Sequence, residues 1–206
     1  MSNLLTSKTV KTELGLLVYE GPVDGALLAN CVIHTELSNF RQPELQKAAL
    51  NIIADLPEGM VFIARNAQTI VGYVTFHYPD EYSRWFKHPA VLELGGIEVA
   101  NKYRQNRLGS ELLDIAFNSR LMEKNIVITT EYFRHWDTKG NQMNIWEYRK
   151  MLDRLFGKVG FMSKPTDDPD ILEHPVNVLM ARCGSEVNYD ELMLFEEMAF
   201  KKSMFW

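Results

Sequence analysis

The sequence predicts one α/β (α+β) domain in which helices flank a mixed central sheet. Apolar runs with strand character alternate with helical patterns along its 206 residues. Residues 61–65 and 70–76 are two such runs, and the polar turn between them indicates an antiparallel hairpin. The runs at 91–99 and 126–130 are joined by a helical pattern, which favours parallel pairing. A sheet that contains both kinds of pairing is mixed.

The N-terminal half carries start and stop signals for its elements. Gly21-Pro22 closes a first strand, Asp24 can cap the helix after it, and Pro43 fits the first turn of a second helix. The second helix has several apolar residues at helical spacing, which are Leu45, Ala48, Ala49, Ile52 and Ile53. The predicted elements are a strand at 14–20, a helix at 24–37, a helix from Pro43 that Pro57 stops, and the hairpin strands.

The C-terminal half continues the alternation of strands and helices. Residues 79–89 are predicted to form a loop that contains Trp85 and Phe86. The predicted elements after it are a strand at 91–99, a helix to about Glu123, a strand at 126–130, a helix at 144–156, strands at 159–162 and 176–182, and a helix from 188 to about 202. We therefore expect a single domain over 1–206 with a C-terminal helical tail from about residue 188.

Composition narrows the classes of function. The net charge of −5 does not favour non-specific nucleic-acid binding. Cys31 and Cys183 lack the spacing of metal ligands and fit a reducing compartment. The N-terminus does not follow the plan of a signal peptide, and no apolar run approaches the ~20 residues of a membrane span. We expect a cytoplasmic protein with no metal, no nucleic-acid partner and no membrane partner.

The turn that follows the apolar run 91–99 is the most informative segment. It is rich in cations and small residues, and a helical pattern follows it. A strand that feeds a helix in this way points the free N–H groups of the first helical turn at one spot, where the helix dipole also favours an anion. The turn therefore suits a phosphate or pyrophosphate. Its candidate binding residues are Arg104, Gln105, Asn106, Arg107, Leu108, Gly109 and Ser110.

This turn resembles the coenzyme A loop of the GNAT superfamily of N-acetyltransferases. The loop signature is Arg or Gln, two residues, Gly, one residue, and Gly or Ala; here Arg104 opens it and Gly109 closes it. Arg107 replaces the first glycine and can supply a guanidinium to a phosphate. The order of elements also matches this family across nearly the whole chain. The resemblance implies the GNAT acyl-CoA N-acyltransferase fold, acetyl-CoA as cosubstrate, and a pantetheine arm paired with the strand end at Ile97 and Val99.

Longer segments are similar to one narrower family, the acetoin utilization protein acetyltransferases (AcuA). This resemblance implies a protein lysine acetyltransferase that acts in acetate and acetoin metabolism. It also implies acetyl-CoA synthetase as the protein substrate, which acetylation of an active-site lysine inactivates. The matching stretches are 56–59, 68–75, 78–80, 93–95, 97–99, 128–132, 135–137, 146–150, 166–169 and 179–182.

Two carboxylates of the run 91–99 are candidates for the catalytic base. A lysine arrives as an ammonium ion with a pKa near 10.4, so a base should take its proton. Glu93 lies eleven residues before Arg104, the offset at which histone-type members of the superfamily place their base. Glu98 is the rival because it adjoins Val99. An unbroken strand directs these two side chains to opposite faces, and the sequence leaves both candidates open.

Other candidate residues follow from the superfamily pattern and from position. Phe156 stands where many members use a tyrosine as acid toward the coenzyme thiolate. Either the thiolate, with a pKa near 8.5, leaves unaided, or Tyr132 or Tyr148 assists. Glu131, Tyr132 and His135 directly follow the strand 126–130, where the amine substrate would enter, and acidic residues there suit an incoming lysine.

Two aromatic segments exceed what acetyl transfer needs. The loop 82–86 contains Trp85 and an arginine, and the chain ends in Phe205-Trp206. Such side chains anchor protein interfaces, and the alternative is that both segments pack on their own domain. The leading hypothesis is acetylation of a protein lysine. The alternatives are a small-molecule amine N-acetyltransferase and a non-catalytic acyl-CoA-binding regulator.

Overall fold

Strands and helices alternate along the chain and fall into two units by their contacts. The computed structural model describes residues 6–104 and 106–200. The first unit is Met1–His77 with Leu94–Asn118, and the second is Tyr78–Glu93 with Ser119–Trp206. The mixed sheet with flanking helices confirms the predicted fold class. That the chain acts as a single domain over 1–206 stays a prediction.

The first unit contains most of the antiparallel pairs. Its strands follow the neighbour order β1-β2-β4-β5-β6, with β3 parallel to β5. The strands are β1 (Thr6–Thr12), β2 (Gly15–Gly21), β3 (Val32–Ile33), β4 (Met60–Asn66), β5 (Thr69–His77) and the second part of β6 (Val91–Val99). Its helices are α1 (Gly25–Ala29), α2 (Pro43–Asp55) and α3 (Leu108–Phe117). The predicted hairpin is confirmed as the antiparallel pair β4–β5.

The second unit contains the first residues of β6 and the C-terminal elements. Glu93 of β6 lies opposite Ile128 of β7 (Ile126–Glu131), and the pairing is parallel, as predicted. The remaining strands, both in antiparallel pairs, are β8 (Met162–Lys164) and β9 (Val178–Cys183). The helices are α4 (Arg120–Glu123), α5 (Ile145–Gly157), α6 (Pro169–Leu172) and α7 (Tyr189–Ala199).

Local capping explains where the long helices of the second unit begin. Asn144 accepts hydrogen bonds from the N–H groups of Trp146 and Glu147, and the Glu147 carboxylate accepts one from the Asn144 N–H. Asn188 and Glu191 form the same capping box at the start of α7. Each cap stabilises its helix by about 1 kcal/mol. The predicted helix starts near 144 and 188 are therefore confirmed.

Two predicted helices are too long. The helix predicted at 24–37 ends at Ala29, because Asn30 caps it and the β-branched pair Val32–Ile33 joins the sheet as β3. The helix predicted to reach Glu123 ends at Phe117. There the chain turns, and the Ser119 side chain caps the separate helix α4.

Two strand predictions also need correction. β1 was not predicted, because its polar sequence has no apolar run. The strand is mostly exposed and pairs with β2. The strand predicted at 159–162 begins instead at Met162. Gly160 takes a φ of +90° just before it, so the chain turns where the strand was expected.

The core of the second unit buries Trp85, which the sequence offered as a candidate interface anchor. Trp85 is 3% exposed, and its ring stacks on Phe195 of α7 with centroids 4.7 Å apart. Arg84 pairs with Asp167 at 2.7 Å and donates to the Ala199 carbonyl. The prediction that this loop presents Trp85 to a partner is therefore wrong, and the alternative of packing holds for it. Phe205-Trp206 lies outside the described residues.

Candidate active site

The predicted coenzyme turn connects β6 to α3 within the first unit. The Ala100 N–H donates to the Val71 carbonyl at 2.9 Å, which ties the end of β6 to β5. A 3₁₀ turn, Asn101–Tyr103, follows and buries Tyr103. The Arg104 side chain folds back and donates from Nε to the Val99 carbonyl at 3.2 Å. The strand end and the arginine of the signature are therefore held together.

Arg107, the residue just before α3, has a backbone conformation that favours glycine. Its φ of 57° and ψ of 17° lie in the left-handed region, and its side chain makes no capping bond to the first helical turn. Asn106 and Arg107 are exposed, while Leu108 is buried. This backbone explains why the signature has a glycine here. Gln105, another predicted binding residue, lies outside the described residues.

Close packing fixes the start of α3 on the sheet. A Cβ atom on Gly72 of β5 would lie 2.6 Å from a methyl group of Leu108 and 3.2 Å from the Glu98 carbonyl oxygen. Real Cβ atoms essentially never approach another atom to 2.6 Å, so a larger residue would force the Leu108 side chain to move. Gly72 therefore allows the N-terminus of α3 to lie close to β5 and β6.

Glu98 is a buried carboxylate with two defined hydrogen-bond donors. It is 5% exposed. The Tyr73 hydroxyl donates to Oε2 at 2.7 Å, and the Asn39 backbone N–H donates to Oε1 at 2.8 Å. Burial and the adjacent Glu98 carboxylate raise the pKa of Tyr73 above its ordinary value, so the phenol stays a donor at neutral pH. The carboxylate is therefore held in one orientation.

Glu93, the rival carboxylate, belongs to the second unit and is half-buried. Its charge acts on Tyr132, which is another predicted site residue. Burial raises the pKa of Tyr132, and the charges of Asp168, Asp170 and Glu93 add to that direction. The negative charge of Glu93 therefore acts on Tyr132, which follows β7 in the same unit.

Glu131, at the end of β7, has an unusual protonation equilibrium. Its carboxylate accepts hydrogen bonds from the Thr129 hydroxyl at 2.9 Å and from the Trp136 indole N–H at 3.2 Å. Desolvation by burial raises the pKa of Glu131 to about 7, although those two hydrogen bonds oppose the shift. Trp136 in turn stacks on Tyr148 at 5.2 Å. A carboxyl group that titrates near neutral pH is typical of functional sites.

This pKa makes the stability of the fold pH-dependent. In the unfolded chain Glu131 titrates near 4.5, so the folded state binds its proton more tightly. Its contribution is fully present below pH 4.5 and is lost as the pH rises through 7, a difference on the order of 3 kcal/mol. We expect Glu131→Gln to remove this contribution. Urea unfolding of both proteins from pH 4.5 to 8.5 should show a wild-type minus variant difference that falls with pH. A constant difference would contradict the shift.

The remaining predicted residues lie on the short turn after Glu131. Tyr132 contacts His135 edge to face at 5.7 Å, and the Arg134 guanidinium lies 5.3 Å from the Tyr132 ring centre.

Phe156, at the position of the expected tyrosine, is fully buried against Phe161. The first unit therefore groups Ile97, Glu98, Val99 and the coenzyme turn, and the second unit groups Glu93, Glu131, Tyr132 and His135.

Sequence reasoning missed three residues that organise these groups. Tyr73 and Asn39 hold Glu98, and Trp136 holds Glu131. A tyrosine inside the apolar strand β5 was a weak signal, because only the fold brings it beside Glu98. Among residues 6–104 and 106–200, no group of three or more His, Cys, Asp or Glu side chains is arranged to hold a metal ion. In the same ranges no helix has the length and apolar character of a membrane span.

Three kinds of comparison with known proteins agree. The model of the acetyltransferase (GNAT) family matches residues 31–136. Two proteins called acetoin utilization protein AcuA, from Bacillus licheniformis and Bacillus subtilis (strain 168), are each 44% identical to this chain over 196 residues, which is 94% of this chain and 93% of each relative. The crystal structure of an acetoin utilization protein from Exiguobacterium sibiricum is 40% identical, with a TM-score of 0.95, and covers 99% of this chain and 98% of its own.

Proposed function

The chain belongs to the acetyltransferase (GNAT) family and to its acetoin utilization branch, and from this membership we propose that it acetylates a lysine of acetyl-CoA synthetase. Family membership makes it an acetyl-CoA-dependent N-acetyltransferase. The observation that carries the narrower proposal is the 44% identity to the AcuA proteins along almost the whole chain. The proposed acetylation would inactivate the synthetase and so regulate acetate and acetoin metabolism.

The proposed coenzyme site is the turn between β6 and α3. The first N–H groups of a ten-residue helix, together with the exposed Arg107 side chain, form a donor set that suits pyrophosphate. We assign the phosphates to residues 104–110 and the pantetheine arm to Ile97 and Val99. Bound acetyl-CoA supplies the thioester whose acetyl group moves to the amine.

Arg107 offers a direct test of this assignment. Arg107→Gly relieves the left-handed backbone, so we expect the free energy of unfolding to rise by about 1 kcal/mol. Loss of the guanidinium should weaken acetyl-CoA binding several-fold at low salt and much less at high salt. Arg107→Ala is the matched control, because it removes the charge without relieving the backbone. Calorimetry that shows equal affinity for all three proteins at low salt would exclude a phosphate contact by Arg107.

We propose Glu98 as the general base. A carboxylate has about four lone-pair positions, and the Tyr73 and Asn39 donors use two of them. Glu98 can therefore accept the proton of the lysine ammonium, directly or through one water molecule. Glu93 remains the rival candidate. Tyr73 is a positioning residue, since its hydroxyl orients the carboxylate and does not itself need to titrate.

We further propose that Glu131, Tyr132 and His135 recognise the acceptor. Desolvation by burial raises the pKa of Tyr132 most, and the negative charges of Asp168, Asp170 and Glu93 raise it further, so these acids give this part of the second unit negative potential. Negative potential favours an approaching lysine. A small polyamine would be favoured by the same charge, so this feature alone does not select a protein acceptor.

Intact-mass spectrometry tests the choice of acceptor. The chain is incubated with acetyl-CoA and, in separate reactions, with acetyl-CoA synthetase, an unrelated folded protein, free lysine and spermidine. We expect one acetyl group on the synthetase and slow or no reaction with the other amines. Faster reaction with spermidine or free lysine would replace the proposal by small-molecule amine acetylation.

A further inference from the structure

Helix α2 in the first unit exposes apolar side chains on the face that points away from the sheet. Leu45 and Ile52 are 62% and 65% exposed, while Gln46 and Leu50 on the opposite side are buried. A helix that lies on a sheet normally turns its polar face outward. Here two large aliphatic residues, Leu45 and Ile52, are exposed beside the acidic Glu44 and Asp55.

The exposed residues form a continuous stripe. At 3.6 residues per turn, Leu45, Ala48 and Ile52 fall along one side of α2, and Leu56 follows directly after the helix as its C-cap; all four are exposed. We call these four residues the α2 stripe. The core is contacted instead by Gln46 and Leu50 on the other side of the helix. The apolar spacing seen in the sequence therefore marks an additional surface, and contiguous exposed apolar patches mark interaction sites.

Charge along the stripe limits what can bind there. Glu44 and Asp55 are exposed and, eleven residues apart, flank the same edge of the stripe, while Glu58 follows the helix. Lys47 is the one positively charged residue of α2. Its ammonium donates to the Cys31 carbonyl, so this charge is directed toward the domain and not toward the stripe. An antiparallel pairing of two copies would set Glu44 of one against Asp55 of the other, and like charges at an interface are costly. The stripe thus suits a different protein that presents apolar groups bordered by Lys and Arg.

The lead-in to α2 connects the stripe to the proposed site. The Asn39 N–H donates to Glu98, and the ring of Phe40 lies 3.6 Å from the position that a Cβ on Gly96 would take. A protein seated on α2 is therefore held next to the segment that contacts β6. We infer that the α2 stripe docks the acceptor protein, through an apolar patch with a basic border. This inference rests on the proposed function.

Steady-state kinetics test the inference with two acceptors. One is acetyl-CoA synthetase, and the other is a short, unmodified peptide that contains the lysine at which the synthetase is acetylated. We expect Leu45→Ser/Ile52→Ser to raise KM for the synthetase at least about tenfold, with kcat and the peptide rate unchanged. Leu16→Ser is the matched control, because Leu16 on β2 is 59% exposed but lies off the stripe. Glu44→Lys/Asp55→Lys leaves the apolar residues intact and should raise the same KM by repelling the basic border.

Each outcome separates the inference from the function on which it rests. If the wild-type chain acetylates the synthetase and both double variants keep its KM, the docking inference alone is overturned. Sedimentation that shows a wild-type dimer and a Leu45→Ser/Ile52→Ser monomer would identify a second copy as the occupant and also overturn it. If the wild-type chain acetylates neither synthetase nor peptide, the proposed function fails and the inference falls with it.

Discussion

Glu98→Gln is expected to lower kcat by roughly 10²-fold or more at neutral pH, because the amide cannot take the proton of the lysine ammonium. The loss should shrink as the pH rises toward the pKa of lysine, where more of the acceptor is already neutral. Tyr73→Phe should lower kcat less. It removes one hydrogen bond that orients the Glu98 carboxylate, but the carboxylate itself is still present. The rate at which free coenzyme A thiol is released, measured from pH 6.5 to 9.5, gives kcat for the wild type, Glu98→Gln and Tyr73→Phe.

Glu93→Gln separates the two candidate bases. We expect this variant to keep the pH profile of the wild type, because we assign the base to Glu98, while the charge of Glu93 acts on Tyr132. A large loss in Glu93→Gln together with near-normal turnover in Glu98→Gln would assign the base to Glu93. If neither substitution slows turnover, neither carboxylate is the base and catalysis depends on positioning.

Trp85→Ala is expected to give the largest loss of stability, about 3–5 kcal/mol. The substitution removes a ring that is buried against Phe195 and other core residues of the second unit. Chemical denaturation measures the change. Tyr82→Ala is the matched control from the same loop, because Tyr82 is 89% exposed and its removal should change stability by no more than about 0.5 kcal/mol. A loss below about 1 kcal/mol for Trp85→Ala would show that this ring does not support the core.

The strand–turn–helix to which we assign the coenzyme was predictable because its signal is local. Arg104 and Gly109 lie within one strand–turn–helix segment, so their spacing alone indicates the turn. The left-handed backbone at Arg107 agrees with the glycine that the signature has there. Capping residues such as Asn144 are equally local, and the helix starts that they mark were correct.

Features that depend on distant contacts were not predictable from the sequence. Tyr73 meets Glu98 only because β5 and β6 are neighbours in the sheet. The aromatic loop gave no sign that Trp85 stacks on α7. Apolar spacing predicted the helix α2 but could not show that Leu45 and Ile52 face solvent, since periodicity defines a stripe without saying what covers it.

The most direct test of the account compares folded and unfolded acceptor. Acetyl-CoA synthetase is incubated with the chain and isotopically labelled acetyl-CoA, either folded or after denaturation and trapping in the unfolded state, and the labelled lysines are located by peptide mass spectrometry. We expect label on one active-site lysine of the folded synthetase, with a matching loss of its activity, and little label on the unfolded chain. Equal labelling of folded and unfolded synthetase, spread over many lysines, would contradict selective acetylation of the synthetase.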